Sequence, residues 1–228
     1  MKIIAKIHND FKEKFGIPRQ SGLSGDLLSR IVFEPEYRNP DALRGIDGYS
    51  HLWLIWQFSE AIREDWSPTV RPPRLGGNKR VGVFATRSPY RPNPIGLSSV
   101  KLVGIESTEN EGMVLVVSGA DLLNGTPIYD IKPYIAYSDC HQDAISGFAD
   151  PVREYALNVV FCKELLSKIA ISKRKSLISI LEQDPRPSYQ NDPEREYGMR
   201  FADYEIFFKV EGDTLTVTRV EVYKNATC

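Results

Sequence analysis

The chain has 228 residues, enough to bury a sizeable core in one or two domains, and its 42% hydrophobic and 26% charged residues are those of an ordinary globular protein, not of a disordered or fibrous one. The net charge of −1, from 29 Lys plus Arg against 30 Asp plus Glu, neither favours nor excludes nucleic acid, so the distribution of charge has to decide. Three cysteines without CxxC spacing (Cys140, Cys162, Cys228) argue against a disulfide framework, and no apolar run reaches the roughly eighteen residues of a membrane span. The N-terminus "MKIIAKIHNDFKEKFG" lacks a signal-peptide core, so a cytoplasmic protein without membrane contact is expected.

In chain order, "KIIAKIH" (2–8) and "SRIVFE" (29–34) read as strands, and "HLWLIWQF" (51–58) as a strand buried on both faces or a short buried helix. "KRVGVFAT" (79–86), "SSVKLVGIE" (98–106), "GMVLVVSGAD" (112–121) and "PIYDIKPYIAY" (127–137) continue the series. Short strands with Gly and Pro punctuation predict a mainly β fold with an N-terminal barrel or sandwich. "SDCHQDAISGFADP" (138–151) is polar and reads as a linker. "KELLSKIAISKRKSLISILEQD" (163–184) has helical spacing and predicts two short helices, or one broken near Ser172. "ADYEIFFKV" and "TLTVTRVEVY" flank "EGDT" as a hairpin, so the chain closes with a small C-terminal α+β domain. The predicted division is 1–142 and 152–228.

One segment stands apart. From Trp66 to Ile105 there is no acidic residue, while Arg71, Arg74, Lys79, Arg80, Arg87, Arg91 and Lys101 fall there with six of the fifteen prolines. A stiff basic stretch suits an anion such as a phosphate backbone, because a preordered loop loses less entropy on binding. The competing reading is a pinned loop whose arginines pair with acids elsewhere. "SGADLLNGTPIYDIKPY" (118–134) places a tight Asn124-Gly125 turn after Asp121, either a grip for a small polar ligand or a plain turn. His8, His51 and His141 are scattered, and no metal-ligand spacing, GxGxxG, GxxxxGK[ST] or GxSxG occurs, so neither a metal nor a Rossmann dinucleotide site is signalled.

Together, "KEKFGIPRQ", "RGIDGYSHLWLIWQF", "PTVRPPRLGGNKRVGVFATRSPYRPNPIGLS" and "DLLNGTPIYDIKPY" resemble the TsaA/YaeB-like family, the TrmO tRNA methyltransferases; "LEQDPRPSY" and "YGM…YEIFFKV" resemble the C-terminal domain of its bacterial members. The resemblance implies a homodimeric, S-adenosylmethionine-dependent enzyme on a non-Rossmann β-barrel. It implies methylation of N6 of a threonylcarbamoyl-adenosine beside the anticodon of tRNA, at position 37.

By the same resemblance, Arg19, Gln20, Phe58, Ser59, Arg87, Leu97 and the turn Asp121, Leu122, Leu123, Asn124 and Gly125 should hold the cofactor. An apolar wall for adenine, a carboxylate or amide for ribose and an arginine for the methionine carboxylate make chemical sense of such a set. Asn124 stands where the family commonly has an acid. Asp121 and Asp130 are weak candidates for the proton acceptor. Arg91 and Asn93 of "YRPNP" are candidates for contact with tRNA; Arg186 and Tyr189 of "PRPSY" contact the anticodon arm or brace the tail, Tyr189 by stacking on a base in the first case. Two rivals remain: a non-catalytic RNA-binding barrel, and an S-adenosylmethionine-dependent enzyme with a different small substrate.

Overall fold

A computed structural model describes residues 1–18, 20–22, 27–72, 75, 79–148, 156–186, 190 and 192–223. Its strands are β1 (Ala5–His8), β2 (Leu28–Phe33), β3 (His51–Gln57), β4 (Thr69–Val70), β5 (Val81–Gly82), β6 (Ile95–Thr108), β7 (Gly112–Ser118) and β8 (Pro127–Pro133), then the short helix α1 (Ala136–Asp139). After it come β9 (Asn158–Val160), α2 (Lys163–Ser167), α3 (Ile171–Glu182), β10 (Tyr197–Phe201), β11 (Tyr204–Glu211) and β12 (Thr214–Val222). The fold is mainly β.

Six strands pair in the order β1-β2-β7-β6-β3-β8, and β8 returns to β1, so the ring closes. All its pairings are antiparallel. Closure puts one side chain in two inside. Along β3, Leu52, Leu54 and Trp56 point into the core, while His51, Trp53, Ile55 and Gln57 are half-buried. The run 51–58 is therefore not buried on both faces as expected. Its outer face is covered only in part: the Trp53 ring lies 5.4 Å from that of Tyr134, and its Nε1 donates to Asp139 Oδ2 at 2.8 Å.

The expected strand 79–86 is a second correction. Only Val81 and Gly82 pair, with Thr69 and Val70, and the chain then turns through a 3-10 helix at Val83–Ala85. Val83 is buried and anchors the turn, Phe84 is left 73% exposed, and Thr86 Oγ1 closes it on Val83 O at 2.8 Å. Conversely β6 starts earlier than expected, because Ile95 and Gly96 already pair with Gln57 and Trp56.

The second sheet runs β10-β11-β12-β9, with β9 parallel to β12. Two helices do occur, with the break at 168–170; Ser172 lies inside α3. Ile169 is buried at that break, and Ala170 N–H donates to Tyr204 Oη at 3.1 Å. Leu177, Ile180 and Leu181 press α3 onto Phe201, Ile206 and Phe208. Phe11 and Leu27, from the other end of the chain, complete this core. The segment after β1 thus straps the two sheets together: Lys173 pairs with Asp10, and Arg200 N–H donates to Glu13 Oε1 at 2.8 Å.

Candidate active site

A cleft of about 1730 Å³ opens where the strap, the ends of β3 and β6, the basic loop and the segment after α3 meet. Its floor follows from strand pairing. Trp56 and Gly96 are cross-strand partners, and the indole lies on the glycine: a Cβ there would stand 2.2 Å from Trp56 Cε2. Only glycine allows that approach. The Phe58 ring packs 4.2 Å from Trp56 at 59°, so two aromatics form one wall. Leu97, 57% exposed, adds an aliphatic edge.

The polar centre is Asp121, which follows Gly119 and Ala120 beyond the end of β7. Ser98 Oγ donates to Asp121 Oδ1 at 2.6 Å and accepts from Trp56 Nε1 at 3.0 Å. Burial pushes the Asp121 carboxyl above its ordinary value; the Ser98 bond, backbone N–H groups including that of Ser21, and the Arg87 charge pull the other way. Arg87 in turn donates from Nη1 to Gln20 Oε1.

Among the described residues, seven basic side chains line the cleft (Lys14, Arg63, Arg71, Arg80, Arg87, Arg91, Arg186) against three acids, Glu60, Asp121 and Asp184. Two of those acids are already paired: Lys14 with Glu60 at 3.2 Å, and Arg186 with Asp184 at 2.8 Å. The balance on the cleft is therefore positive, which suits an anionic ligand.

Of the residues named from the sequence, Gln20, Phe58, Ser59, Arg87, Arg91, Asn93, Leu97, Asp121, Leu123 and Arg186 line this cleft. Arg19 and Tyr189 lie outside the described residues. The remaining four sit elsewhere. Leu122 is fully buried in the ring core. Asn124 spends its amide oxygen on Asn9 N–H at 3.0 Å and its own N–H on Phe11 O. Gly125, at φ +81, donates its N–H to Ile7 O at 2.8 Å. The turn thus anchors the strap, and the amide oxygen at 124 is the acceptor that Asn9 uses. Asp130 lies on β8, paired with Lys132 at 2.9 Å.

Two lining residues do less than expected of them as free groups. Arg91 Nη1 donates to the carbonyls of Thr86 and Ser88 at 3.1 and 3.4 Å, so it staples its own loop. Arg186 is buried, with Nε and Nη2 both on the Asp184 carboxylate.

Sequence reasoning missed Trp56 and Ser98, which it read only as strand, Gly96, which it left before the strand, and the aromatic rim. Phe84 and Trp66, 73% and 51% exposed, pack at 6.0 Å beside the basic wall, and Arg63 lies 4.0 Å over the Tyr90 ring. The signal for the rim was aromatics interleaved with arginines in an acid-free stretch.

The chain was then compared with known proteins. The family described as tRNA-methyltransferase O N-terminal domain matches residues 6–140, and the TrmO C-terminal domain matches residues 154–223. The chain is 37% identical over 215 residues, 91% of each chain, to an Escherichia coli (strain K12) protein named tRNA (adenine(37)-N6)-methyltransferase. It is 47% identical to an Eikenella corrodens protein of the same name, over 72% of this chain and 92% of that one. A Pseudomonas aeruginosa protein provisionally named S-adenosylmethionine-dependent methyltransferase RcsF is 40% identical over 89% of each. The crystal structure of TrmO from Pseudomonas aeruginosa matches with a TM-score of 0.76 at 32% identity, over 96% of this chain and 97% of that one.

Proposed function

The chain belongs to the tRNA-methyltransferase O family, and from that we propose that it is an S-adenosylmethionine-dependent enzyme that methylates N6 of adenosine 37 in tRNA. The observation that carries this reading for the chain's own residues is the convergence of an aromatic wall, a buried carboxylate and an arginine in one positively charged cleft.

The donor set fits the cofactor. Trp56, Phe58 and Leu97 offer the flat apolar surface an adenine takes, and aromatic faces also tolerate a sulfonium charge. Asp121 is an acceptor for ribose hydroxyls, and Arg87, oriented by Gln20, is a partner for an amino-acid carboxylate. When bound, the cofactor supplies an electrophilic methyl group on sulfur. The protein's task is then alignment: cleft walls that hold donor and acceptor in line supply much of the rate of such a transfer. The loop Arg87–Ile95 is stiffened for this by three prolines and by the Arg91 staple.

The rim takes the RNA. Phosphates meet Arg63, Arg71 and Arg80, and unpaired bases stack on Phe84 and Trp66, the mode by which single-stranded loops are read. We take the acceptor to be an adenosine that already carries a threonylcarbamoyl group, whose carboxylate is one more anion for a basic cleft. We read residues 1–142 as a β-barrel cofactor-binding domain and 152–228 as a tail domain that contacts tRNA, in a cytoplasmic homodimer. Exposed free thiols at Cys140 and Cys162 are consistent with a reducing compartment.

Calorimetric titration of the purified chain with S-adenosylmethionine and S-adenosylhomocysteine tests the reading, followed by methylation of tRNA. Arg87→Ala weakens cofactor binding about tenfold. Phe84→Ala leaves that binding intact and raises KM for tRNA about tenfold, the loss of one stacked base. Folded protein that binds neither compound, yet binds tRNA in a salt-dependent way, would be an RNA-binding module and not this enzyme.

A further inference from the structure

Trp56 Nε1, Ser98 Oγ and Asp121 Oδ1 form a chain of two hydrogen bonds, 3.0 and 2.6 Å long, that crosses from β3 through β6 to the segment after β7. Its direction is set by chemistry. An indole N–H only donates, so the Ser98 oxygen accepts from it, and the single hydroxyl proton goes to Asp121. Ser98 is 1% exposed and Trp56 6%, so water does not compete for either bond. A buried strand serine ordinarily satisfies itself on backbone. This one joins an aromatic of the cleft wall to the acid of the cleft, and Gly96 makes room for the ring that starts the chain. A carboxylate has about four lone-pair sites. Ser98 Oγ and the backbone N–H groups of Asp121 and Ser21 take three of them, which leaves about one on a residue that lines the cleft.

We propose that Trp56 and Ser98 are a positioning relay that holds Asp121 as an ionised acceptor for a hydroxyl of a nucleoside in the cleft. The inference rests on the cofactor reading above and adds two residues to it. Burial alone favours the neutral acid, which accepts less well; the relay offsets that. Arg87 is the charge whose field reaches Asp121. Among the other charged groups of the cleft, Lys14 and Arg186 are paired with Glu60 and Asp184. Arg63, Arg71, Arg80 and Arg91 are the other basic residues of its lining among those described.

The test has a readout that needs no ligand. The Asp121 carboxyl carbon is titrated by NMR in the full chain, in the wild type and in Ser98→Ala, and S-adenosylhomocysteine affinity is measured at the same pH values. Loss of the Ser98 bond moves the Asp121 midpoint upward and weakens binding about tenfold near neutral pH. Trp56→Phe moves the Asp121 midpoint upward alone but adds nothing to the shift in Ser98→Ala, because the indole reaches the carboxylate only through that hydroxyl. A midpoint that stays put in Ser98→Ala overturns the relay, whether or not the ligand binds. A midpoint that moves in a protein that binds no S-adenosylhomocysteine supports the relay and overturns the ligand assigned to Asp121.

Discussion

The ring and the tail sheet bury polar atoms in different ways. Ser29, Ser98, Ser118 and Thr126, on the strands of the ring or at their ends, are buried hydroxyls. The tail core is carried by Phe11, Phe201 and Phe208; among the described residues it buries one serine, Ser176, and one charge pair, Asp184 with Arg186. Burying a hydroxyl is costly unless it is bonded, so a fold that keeps several of them keeps them for a reason. At Ser98 the reason is Asp121. The tail, by contrast, is built to hold the strap, and through Lys14 to Pro18 the strap forms part of the cleft wall. One region carries the polar centre of the cleft, and the other positions a wall of it.

The largest test of that division is Phe11→Ala. Phe11 is 1% exposed, 6.4 Å from the Phe201 ring, and belongs to the tail core although it follows β1 directly. Its truncation costs about 3–5 kcal/mol in urea unfolding, as for other fully buried phenylalanines. A loss below about 1 kcal/mol would mean that the strap only rests on the tail.

Two strand glycines sharpen the contrast. A Cβ at Gly96 would meet the Trp56 indole at 2.2 Å, so the ring system has to leave its place and the relay breaks. Gly96→Ala therefore lowers stability by about 1–3 kcal/mol, an overpacking cost, and weakens S-adenosylhomocysteine binding at least about tenfold. In the tail, a Cβ at Gly198 would meet Phe207 Cε1 at 3.2 Å, a contact that a shift of a few tenths relieves. Gly198→Ala changes stability by less than about 1 kcal/mol and leaves binding alone. Equal effects of both variants on binding would erase the distinction between the two regions.

The same contrast governs what could be read from the sequence. The order of strands, the tail hairpin and the cleft side of the basic loop were legible, because period-two alternation and turn residues are local signals. Arg87, Asp121 and Phe58 were reached through family motifs, and they do meet in one cleft. Ser98 was not legible: nothing in "IGLSSVKL" tells which serine faces inward until β3 fixes the register through Leu54. Asn124 misled for the opposite reason. Its motif is local and conspicuous, yet its partner, Asn9, is a long-range one on the strap. The strand expected at 79–86 failed because β-branched residues there serve a 3-10 turn pinned by one buried valine.

The smallest effect concerns stability against pH, and it turns on the one acid the ring holds beside its buried hydroxyls. The carboxyl of Asp121 is raised in the folded chain, chiefly by burial, above its ordinary 3.8. Folded protein therefore holds that proton more tightly than unfolded protein does. The stabilisation is complete below the ordinary value and is lost as pH rises through the raised one. Asp121→Asn has no such proton to lose, and its amide oxygen can still accept from Ser98. Relative to the wild type, the variant gains stability as pH climbs through that window and then stays level, while its cofactor affinity falls. Urea unfolding at a series of pH values reads the first, calorimetry the second. A stability difference that is flat with pH would show that the cleft does not strain its carboxylate. A difference that rises, with weaker binding, would mean that the ring gives up stability at neutral pH to keep a charged acceptor in place.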